Sequence, residues 1–409
     1  MQIQWSHFLL RIFLCIPLLS ACGGSEDNSP LHDSKPDIDE TAARRDLHLL
    51  PRQDKNCSIN SASSRLGDCV KIWVYQGEQP SQVQLDMRHF SGKGITSSLV
   101  KGVHVGATGE RSSTPVSTIL QYSEGTPIPI CRENGGYNLD SIENSGLLLA
   151  YKTHETMRLN REIHASAHRQ PLQIYLQPLL VKRSTNSFFA DNAMHVGDRS
   201  ELFFLPHSHL FLQRQGIRKI PYYHNWMAIG HEITHNLFHN LVLRGKKAHA
   251  YPMFVAALDE AIADLGGHLH GYQPHFSISR ARDLLDSYAE NPKKITQSTV
   301  RKLEAGILDV HEVGSFLAYG FYQMLRIGLG KYDARAQLQF LFLYLDQLRQ
   351  AEWKETGSDF LSQSVELFGN LLAVEQGFLY ESQCKIVRKV FPFFTIADNT
   401  FMSSWGCSL

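Results

Sequence analysis

His231-Glu232-Ile233-Thr234-His235 lies in an apolar segment of the 409-residue chain and carries two histidines four positions apart. The apolar periodicity around it predicts a helix from His224 to about Leu243. On a helix, positions i and i+4 share one face, so both imidazoles can reach one metal ion. The H-E-x-x-H pattern is typical of a Zn²⁺ site with a glutamate as general base. The stretch therefore predicts two zinc ligands, His231 and His235, and a catalytic Glu232.

A third protein ligand would complete a catalytic zinc site and leave the fourth position open for water. His239 continues the four-residue spacing, but on a straight helix it lies about 12 Å along the axis from His231. Each nitrogen would have to lie about 2.0–2.1 Å from the ion, so His231 and His239 are not expected to share one ion. Leu241 breaks the metzincin spacing. Between the remaining candidates, Asp264 is possible, and Glu260 is preferred because choosing Asp264 leaves Glu260 unexplained.

A second predicted helix, from Phe254 to His270, carries Glu260 and Asp264 one turn apart on the same face. One interpretation of this pair is a solvated acidic face. The neighbouring residues favour a buried helix instead, because they are small or apolar: Leu258, Ala261, Ile262, Ala263, Leu265 and Gly266. Buried carboxylates need partners, and a metal ion with its histidines would provide them.

The stretch Asp259-Glu260-Ala261-Ile262-Ala263-Asp264 resembles the N-E-x-x-S-D signature of the thermolysin-like peptidases, which are gluzincins. The resemblance implies that Glu260 is the third zinc ligand and that Asp259 and Asp264 orient the two zinc histidines. Asp259 stands where the family usually has asparagine, and Ala263 replaces the family's serine. Residues 236–259 separate the two motifs, a few more than usual, and this spacing disfavours the related aminopeptidase pattern.

Two further positions match the residues with which this family stabilises the oxyanion. Val310-His311, followed by Gly314-Ser315, resembles the V-H-x-x-S-G element with its last two residues reversed. The resemblance implies that His311 acts on the transition state, whereas a lone histidine at such a place is more often structural. Tyr251 lies nine residues before Glu260, the spacing at which the family places a tyrosine that helps to hold the oxyanion.

Asn192-Ala193, ahead of a predicted strand at residues 201–205, resembles the N-A-F/Y element of the family's active-site edge strand. The resemblance implies that the Asn192 side chain and the Ala193 carbonyl hold an extended substrate as an added strand. Met194 stands where the family usually has an aromatic residue, and a plain turn asparagine is the alternative interpretation.

The N-terminus has the composition of a targeting segment. The apolar run Ile12 to Leu19 is too short to span a bilayer. It leads to Leu19-Ser20-Ala21-Cys22, which resembles a bacterial lipobox and predicts a signal peptide over 1–21 and lipidation of Cys22. An ordinary secretory signal is the alternative. The polar residues 22–56 predict a flexible tether, and Gly23 after the lipidated cysteine favours the outer membrane of the cell envelope.

The remaining sequence predicts an α+β fold with a β-rich N-terminal region, 57–140, and a thermolysin-like metallopeptidase domain, 141–409, that is mainly helical towards its C-terminus. The active-site helix would lie between the β-rich and helical parts. One strand is expected from Leu172 to Val181. Further helices are expected from about Leu139 to Ile163, from near Val313, and over 336–350, 360–372 and 382–390. Export permits disulfides, and proximity along the chain suggests the pairs Cys57–Cys69 and Cys384–Cys407.

A formal net charge of zero gives no reason to expect nucleic acid or an anionic membrane surface as a partner. The expected function is that of a lipid-anchored zinc metalloendopeptidase with one catalytic Zn²⁺ and polypeptide substrates. Two alternatives remain, namely a binding lipoprotein on a peptidase scaffold and a zinc hydrolase of another amide, such as a cell-wall peptide. The acidic cluster that binds calcium in the best-known family members is not evident, so calcium dependence is not inferred.

Overall fold

The computed structural model describes residues 70–76, 79–92, 94–106, 108–111, 120–122, 126–127, 141–182, 187–188, 192–196, 200–206, 221–244, 246, 252–271, 294–329, 334–354, 356–397 and 399–407. These residues divide into two compact units. The first contains the described residues up to Glu155 and those from Gln170 to Ile229. The second contains Thr156–Arg169 and the described residues from Gly230 onwards. The predicted signal peptide, tether and Cys22 lie outside the described residues.

The strands of the described residues all lie in the first unit. They are β1 (Val70–Gln76), β2 (Gln79–Leu85), β3 (Val100–Val105), β4 (Thr108–Arg111), β5 (Leu120–Tyr122), β6 (Thr126–Pro127), β7 (Leu172–Leu176), β8 (Leu179–Lys182), β9 (Ser187–Phe188), β10 (Ala193–Val196) and β11 (Glu201–Phe204).

These strands form a two-stranded, a five-stranded and a four-stranded sheet. β1 and β2 pair antiparallel. The five-stranded sheet has the order β10-β11-β7-β3-β6, and the four-stranded sheet has the order β5-β4-β8-β9. β7 runs parallel to both of its neighbours, β11 and β3. All five side chains of β7 are buried, as expected for the central strand of a parallel arrangement.

The single strand expected from Leu172 to Val181 is divided between two sheets. β7 ends at Leu176, and β8 begins at Leu179 and pairs in the four-stranded sheet. Gln177 between them has a φ of 51°, which is outside the range of extended strands. Pro178 follows and has no N–H with which to continue the ladder. The apolar pattern alone did not reveal this break.

The helices are α1 (Ile142–Ile163), α2 (Trp226–Phe238), α3 (Pro252–Gly271), α4 (Gln297–Glu304), α5 (Val310–Gly328), α6 (Ala334–Gln350), α7 (Gly357–Gln376), α8 (Glu381–Val390), α9 (Pro392–Ala397) and α10 (Asn399–Ser404). The helix expected from His224 to Leu243 consists of three pieces. A 3₁₀ turn, Tyr222–His224, precedes α2, and a π turn, His239–Leu243, follows it.

An aromatic core stabilises the second unit. The Phe321 ring of α5 stacks on Phe368 of α7 with centroids 4.1 Å apart, and Tyr344 of α6 packs edge-on against Phe368. A disulfide joins Cys384 and Cys407, which confirms that predicted pair. The Cys57–Cys69 pair lies outside the described residues.

Two glycines allow close helix packing where α3 meets its neighbours. A Cβ at Gly266 would lie 2.3 Å from Oγ1 of Thr234, on α2. A Cβ at Gly314, on α5, would lie 2.6 Å from the Cβ of Glu260. Real Cβ atoms essentially never come so close to another heavy atom. α3 can therefore lie against both neighbours at this separation only because these two positions have no side chain.

The described part of the chain is a mixed α+β structure, β-rich towards the N-terminus and mostly helical towards the C-terminus. This confirms the predicted fold class at that level. Among the helices that the structure describes, none combines the length and apolar character needed to cross a membrane.

Candidate metal centre

Two imidazoles of α2 point to one place. Asn225 caps the start of this helix, since its Oδ1 accepts hydrogen bonds from the N–H groups of Met227 and Ala228. His231 and His235 follow one helical turn apart, and each is only 4 % exposed. Their Nε2 atoms lie 2.9 Å from each other.

Glu260 on α3 completes a three-residue cluster. Its Oε2 lies 3.5 Å from Nε2 of His231 and 3.7 Å from Nε2 of His235. The side chain is buried, as are the two histidines. This group of three ligand atoms could hold a metal ion. His239, the alternative considered for the third ligand, is the first residue of the π turn and does not belong to the group.

Carboxylates contact the far side of both imidazoles. Nδ1 of His231 lies 3.0 Å from Oδ1 of Asp264, and Nδ1 of His235 lies 2.9 Å from Oδ1 of Asp259. A carboxylate only accepts hydrogen bonds, so Nδ1 of His235, which hydrogen-bonds Asp259, is the nitrogen that carries the proton. In His231 the Asp264 carboxylate lies beside the same ring nitrogen. Both rings thus direct Nε2 towards the centre, as in the carboxylate–histidine–metal groups of metalloproteins.

The charges of the cluster favour a cation at its centre. Burial would by itself raise the pKa of Glu260, but the surrounding imidazoles hold that pKa well below its usual range. Burial would lower the pKa of His235, but the Asp259 and Glu260 carboxylates outweigh it and raise that pKa to about 9. A positive charge between the two close Nε2 atoms is therefore stabilised, and either a proton or a metal ion could supply it.

Glu232 lies between the two histidines in sequence and is completely buried. Burial raises the pKa of its carboxyl to about 7, and the nearby imidazoles only partly oppose this shift. Within the described part of the chain, neither carboxyl oxygen has a hydrogen-bond partner. A buried carboxyl with a pKa near neutrality can accept and return a proton, as a general acid–base group must.

His311, near the start of α5, reaches the same cluster. Its Nε2 lies 3.4 Å from Oε1 of Glu260. Its Nδ1 lies 2.5 Å from Oδ1 of Asp309, which also caps the helix by accepting the backbone N–H of His311. Burial would lower the pKa of His311, but Asp309 and Glu260 raise it overall. The imidazole is thus held as a hydrogen-bond donor beside the three-residue cluster.

Comparison with models of known protein families found no match, and comparison with curated proteins found no significant relative.

Two residues that contact neighbours of the cluster, Asp309 and Ser315, have no role predicted from the sequence. Asp309 holds His311, and its signal would have been an aspartate at a helix N-cap two positions before a candidate histidine. Ser315 donates a hydrogen bond of 3.0 Å from Oγ to Oδ2 of Asp264. Ser315 belongs to the motif that contains His311, but its hydrogen-bond partner depends on how α3 and α5 pack.

Two other predicted site residues, Asn192 and Ala193, do not belong to the three-residue cluster. Asn192 and Ala193 lie in the first unit, with Ala193 beginning the edge strand β10 of the five-stranded sheet. The Asn192 side chain is 4 % exposed, and its Oδ1 has no hydrogen-bond partner among the described residues. Tyr251 is outside the described residues.

Proposed function

We propose that this protein is a zinc metallopeptidase, an endopeptidase, whose zinc ion is held by His231, His235 and Glu260. The mutual distances of the three ligand atoms support this proposal most strongly. They are 2.9, 3.5 and 3.7 Å. Two atoms bound at about 2.0–2.1 Å to a tetrahedral zinc ion are about 3.3–3.4 Å apart. The three distances lie on both sides of that value, within about 0.5 Å of it, which supports one zinc ion bound by all three atoms.

The chemical types of the ligands also favour zinc. Two imidazole nitrogens and one carboxylate oxygen form the ligand set of catalytic zinc in metalloproteases. Magnesium and calcium prefer six or more oxygen ligands, and the cluster offers two nitrogens to one carboxylate. Three protein ligands leave room for a fourth, which separates a catalytic zinc site from a structural one.

The residues around the site supply the steps of peptide hydrolysis. A bound zinc ion would polarise the scissile carbonyl and acidify a water molecule. The Glu232 carboxylate accepts the proton of the attacking water and returns it to the leaving amine. His311 donates a hydrogen bond from Nε2 to the oxygen on which negative charge develops. Asp309 keeps His311 protonated at Nδ1 and oriented for this role.

The resemblance to thermolysin-like peptidases supports the same reaction. Asp259 and Asp264 contact the two histidines, the role that the signature implies for these positions. Tyr251 as a second oxyanion donor, and Asn192 with Ala193 as the strand that aligns the substrate, remain predictions. The proposal includes an exported protein anchored by lipid at Cys22, with extended polypeptides outside the cytoplasm as substrates.

The test measures zinc content and cleavage of an unstructured protein, casein, by wild type and by Glu232→Gln. Both proteins are expected to bind about one zinc ion. Glu232→Gln is expected to cleave about 10²–10⁴-fold more slowly, because the proton acceptor is lost while the shape is kept. Glu304→Gln, an exposed glutamate on α4, is the control and keeps full activity.

Three outcomes would contradict the proposal in different ways. Absence of zinc from wild type would remove its basis. Zinc binding without cleavage of any polypeptide would favour a binding protein or a hydrolase of a narrower amide. Full activity in Glu232→Gln would assign the proton transfer to another residue.

A further inference from the structure

α3 and α5 pack in a register that places two pairs of side chains opposite each other. Glu260 and Asp264 are four residues apart on α3, and His311 and Ser315 are four residues apart on α5. His311 faces Glu260, with 3.4 Å between Nε2 and Oε1. Ser315 faces Asp264, with 3.0 Å between Oγ and Oδ2. One helix face thus carries both a candidate oxyanion donor and a hydroxyl that contacts a partner of a metal ligand.

We propose that Ser315 is a positioning residue of the metal centre, acting through Asp264 on His231. Its Oγ–H donates to one oxygen of Asp264, and the other oxygen lies 3.0 Å from Nδ1 of His231. This chain of contacts connects α5 to α3 and α3 to the metal ligand on α2. The Ser315 side chain is buried, with 8 % of the residue exposed.

The physical reason is the burial of Asp264. Only 8 % of this residue is exposed, so solvent cannot replace a lost hydrogen-bond donor. With Ser315 present, Oδ2 is held on α5 and Oδ1 stays directed at His231. Without the hydroxyl, Oδ2 of Asp264 loses its donor and the carboxylate can rotate towards another one. The His231 imidazole then loses its fixed orientation.

Asp259, the carboxylate beside His235, depends less on a hydrogen bond from a neighbouring helix than Asp264 does. The Asp259 side chain is 25 % exposed, against 8 % for the Asp264 side chain. Water can therefore solvate the outer oxygen of Asp259. The carboxylate beside His231 therefore needs a protein donor more than the carboxylate beside His235, and Ser315 is that donor.

This inference rests on the metal site of the proposed function but not on peptidase activity. Its test therefore measures the dissociation constant of zinc by chelator competition at fixed pH, together with the thermal midpoint of the metal-free protein. Ser315→Ala is expected to bind zinc about 10-fold more weakly, the lower end of the loss typical of such outer partners. Ser315→Thr keeps the hydroxyl and is expected to retain wild-type affinity.

Ser364→Ala is the matched control. Ser364 is also a buried helix serine, but its Oγ donates to the Phe360 carbonyl of its own helix. Its loss is expected to lower the thermal midpoint without changing zinc affinity. In an Asp264→Ala background, Ser315→Ala is expected to change zinc affinity less than about twofold, because the residue through which it acts is gone.

Unchanged zinc affinity in Ser315→Ala would overturn the inference. An equal loss in Ser315→Thr would show that the hydroxyl is not the cause. A loss that persists in the Asp264→Ala background would show that Ser315 acts by another route. If wild type binds no zinc at all, the proposed function fails together with this inference, and that result is distinguishable from the other three.

Discussion

Gly314→Ala is expected to weaken zinc binding although it replaces none of the three ligands. The added methyl carbon would lie 2.6 Å from the Cβ of Glu260 and 2.9 Å from the Ala257 carbonyl oxygen. Ordinary contact begins near 3.4 Å, so the first of these distances must grow by 0.8 Å, from 2.6 to 3.4 Å. α3 and α5 must then move apart, or Glu260 must move towards the two histidines.

The size of the effect follows from that displacement. Metal–ligand distances in a well-formed site lie within about ±0.2 Å of their usual values, so even a quarter of the 0.8 Å displacement, passed on to the Glu260 carboxylate, would use up that range. We expect zinc affinity to fall at least about 10-fold, equivalent to about 1.4 kcal/mol. Overpacking of the helix interface is expected to cost the metal-free protein a further ~1–3 kcal/mol of unfolding free energy.

Gly320→Ala separates these two effects. Gly320 also lies on α5, and a Cβ there would come 2.2 Å from Cζ of the Phe391 ring. This variant is expected to lose stability by a similar mechanism while its folded form binds zinc as wild type does. Chelator competition gives the affinities, and urea unfolding of the metal-free proteins gives the stabilities. Wild-type zinc affinity in Gly314→Ala, or equal losses of affinity in the two variants, would refute the reasoning.

Two further predictions concern the stability of the second unit. Burial lowers the pKa of His168 to about 4, and the ring contacts Asn160 and Asn236. The histidine of the unfolded chain titrates near 6.5, so the folded protein keeps its full stability above pH 6.5. As pH falls from 6.5 towards 4, the unfolded chain binds protons more readily than the folded one, and the free energy of unfolding falls by up to about 3 kcal/mol. Urea unfolding of metal-free wild type and of His168→Gln at pH 7 and 4.5 checks this prediction. If the two proteins differ in unfolding free energy by the same amount at both pH values, the prediction is contradicted. Replacing Cys384 and Cys407 by serine removes a cross-link between residues 23 positions apart and is expected to lower the free energy of unfolding by about 3 kcal/mol. A thermal midpoint that stays within about 2 °C of the wild-type value would contradict this prediction.

The positions of side chains along a single helix were predictable from the sequence. Spacing along one helix was enough to place His231 beside His235, and a second i, i+4 pair marked Glu260 and Asp264. The apolar neighbours of that pair predicted a buried helix, and α3 is buried over most of its length. These predictions succeeded because they depend on the geometry of a single helix.

Contacts between elements were harder to predict. Ser315 contacts Asp264 through the packing of α5 on α3, and Asp309 contacts His311 through a helix cap. The pattern along the chain contains no register between two helices, so Ser315 remained only part of a motif. The break at Gln177 was missed for a related reason, because φ is a property of one residue that hydrophobic alternation does not report.

Zinc anomalous diffraction from crystals of the wild-type protein would test the metal centre most directly. We predict one strong peak about 2.0–2.2 Å from Nε2 of His231, Nε2 of His235 and a carboxylate oxygen of Glu260. Glu260→Ala crystals grown with equal zinc are predicted to show that peak much weakened. A wild-type protein without zinc at these three residues, or with zinc bound only elsewhere, would contradict both the metal site and the peptidase proposal built on it.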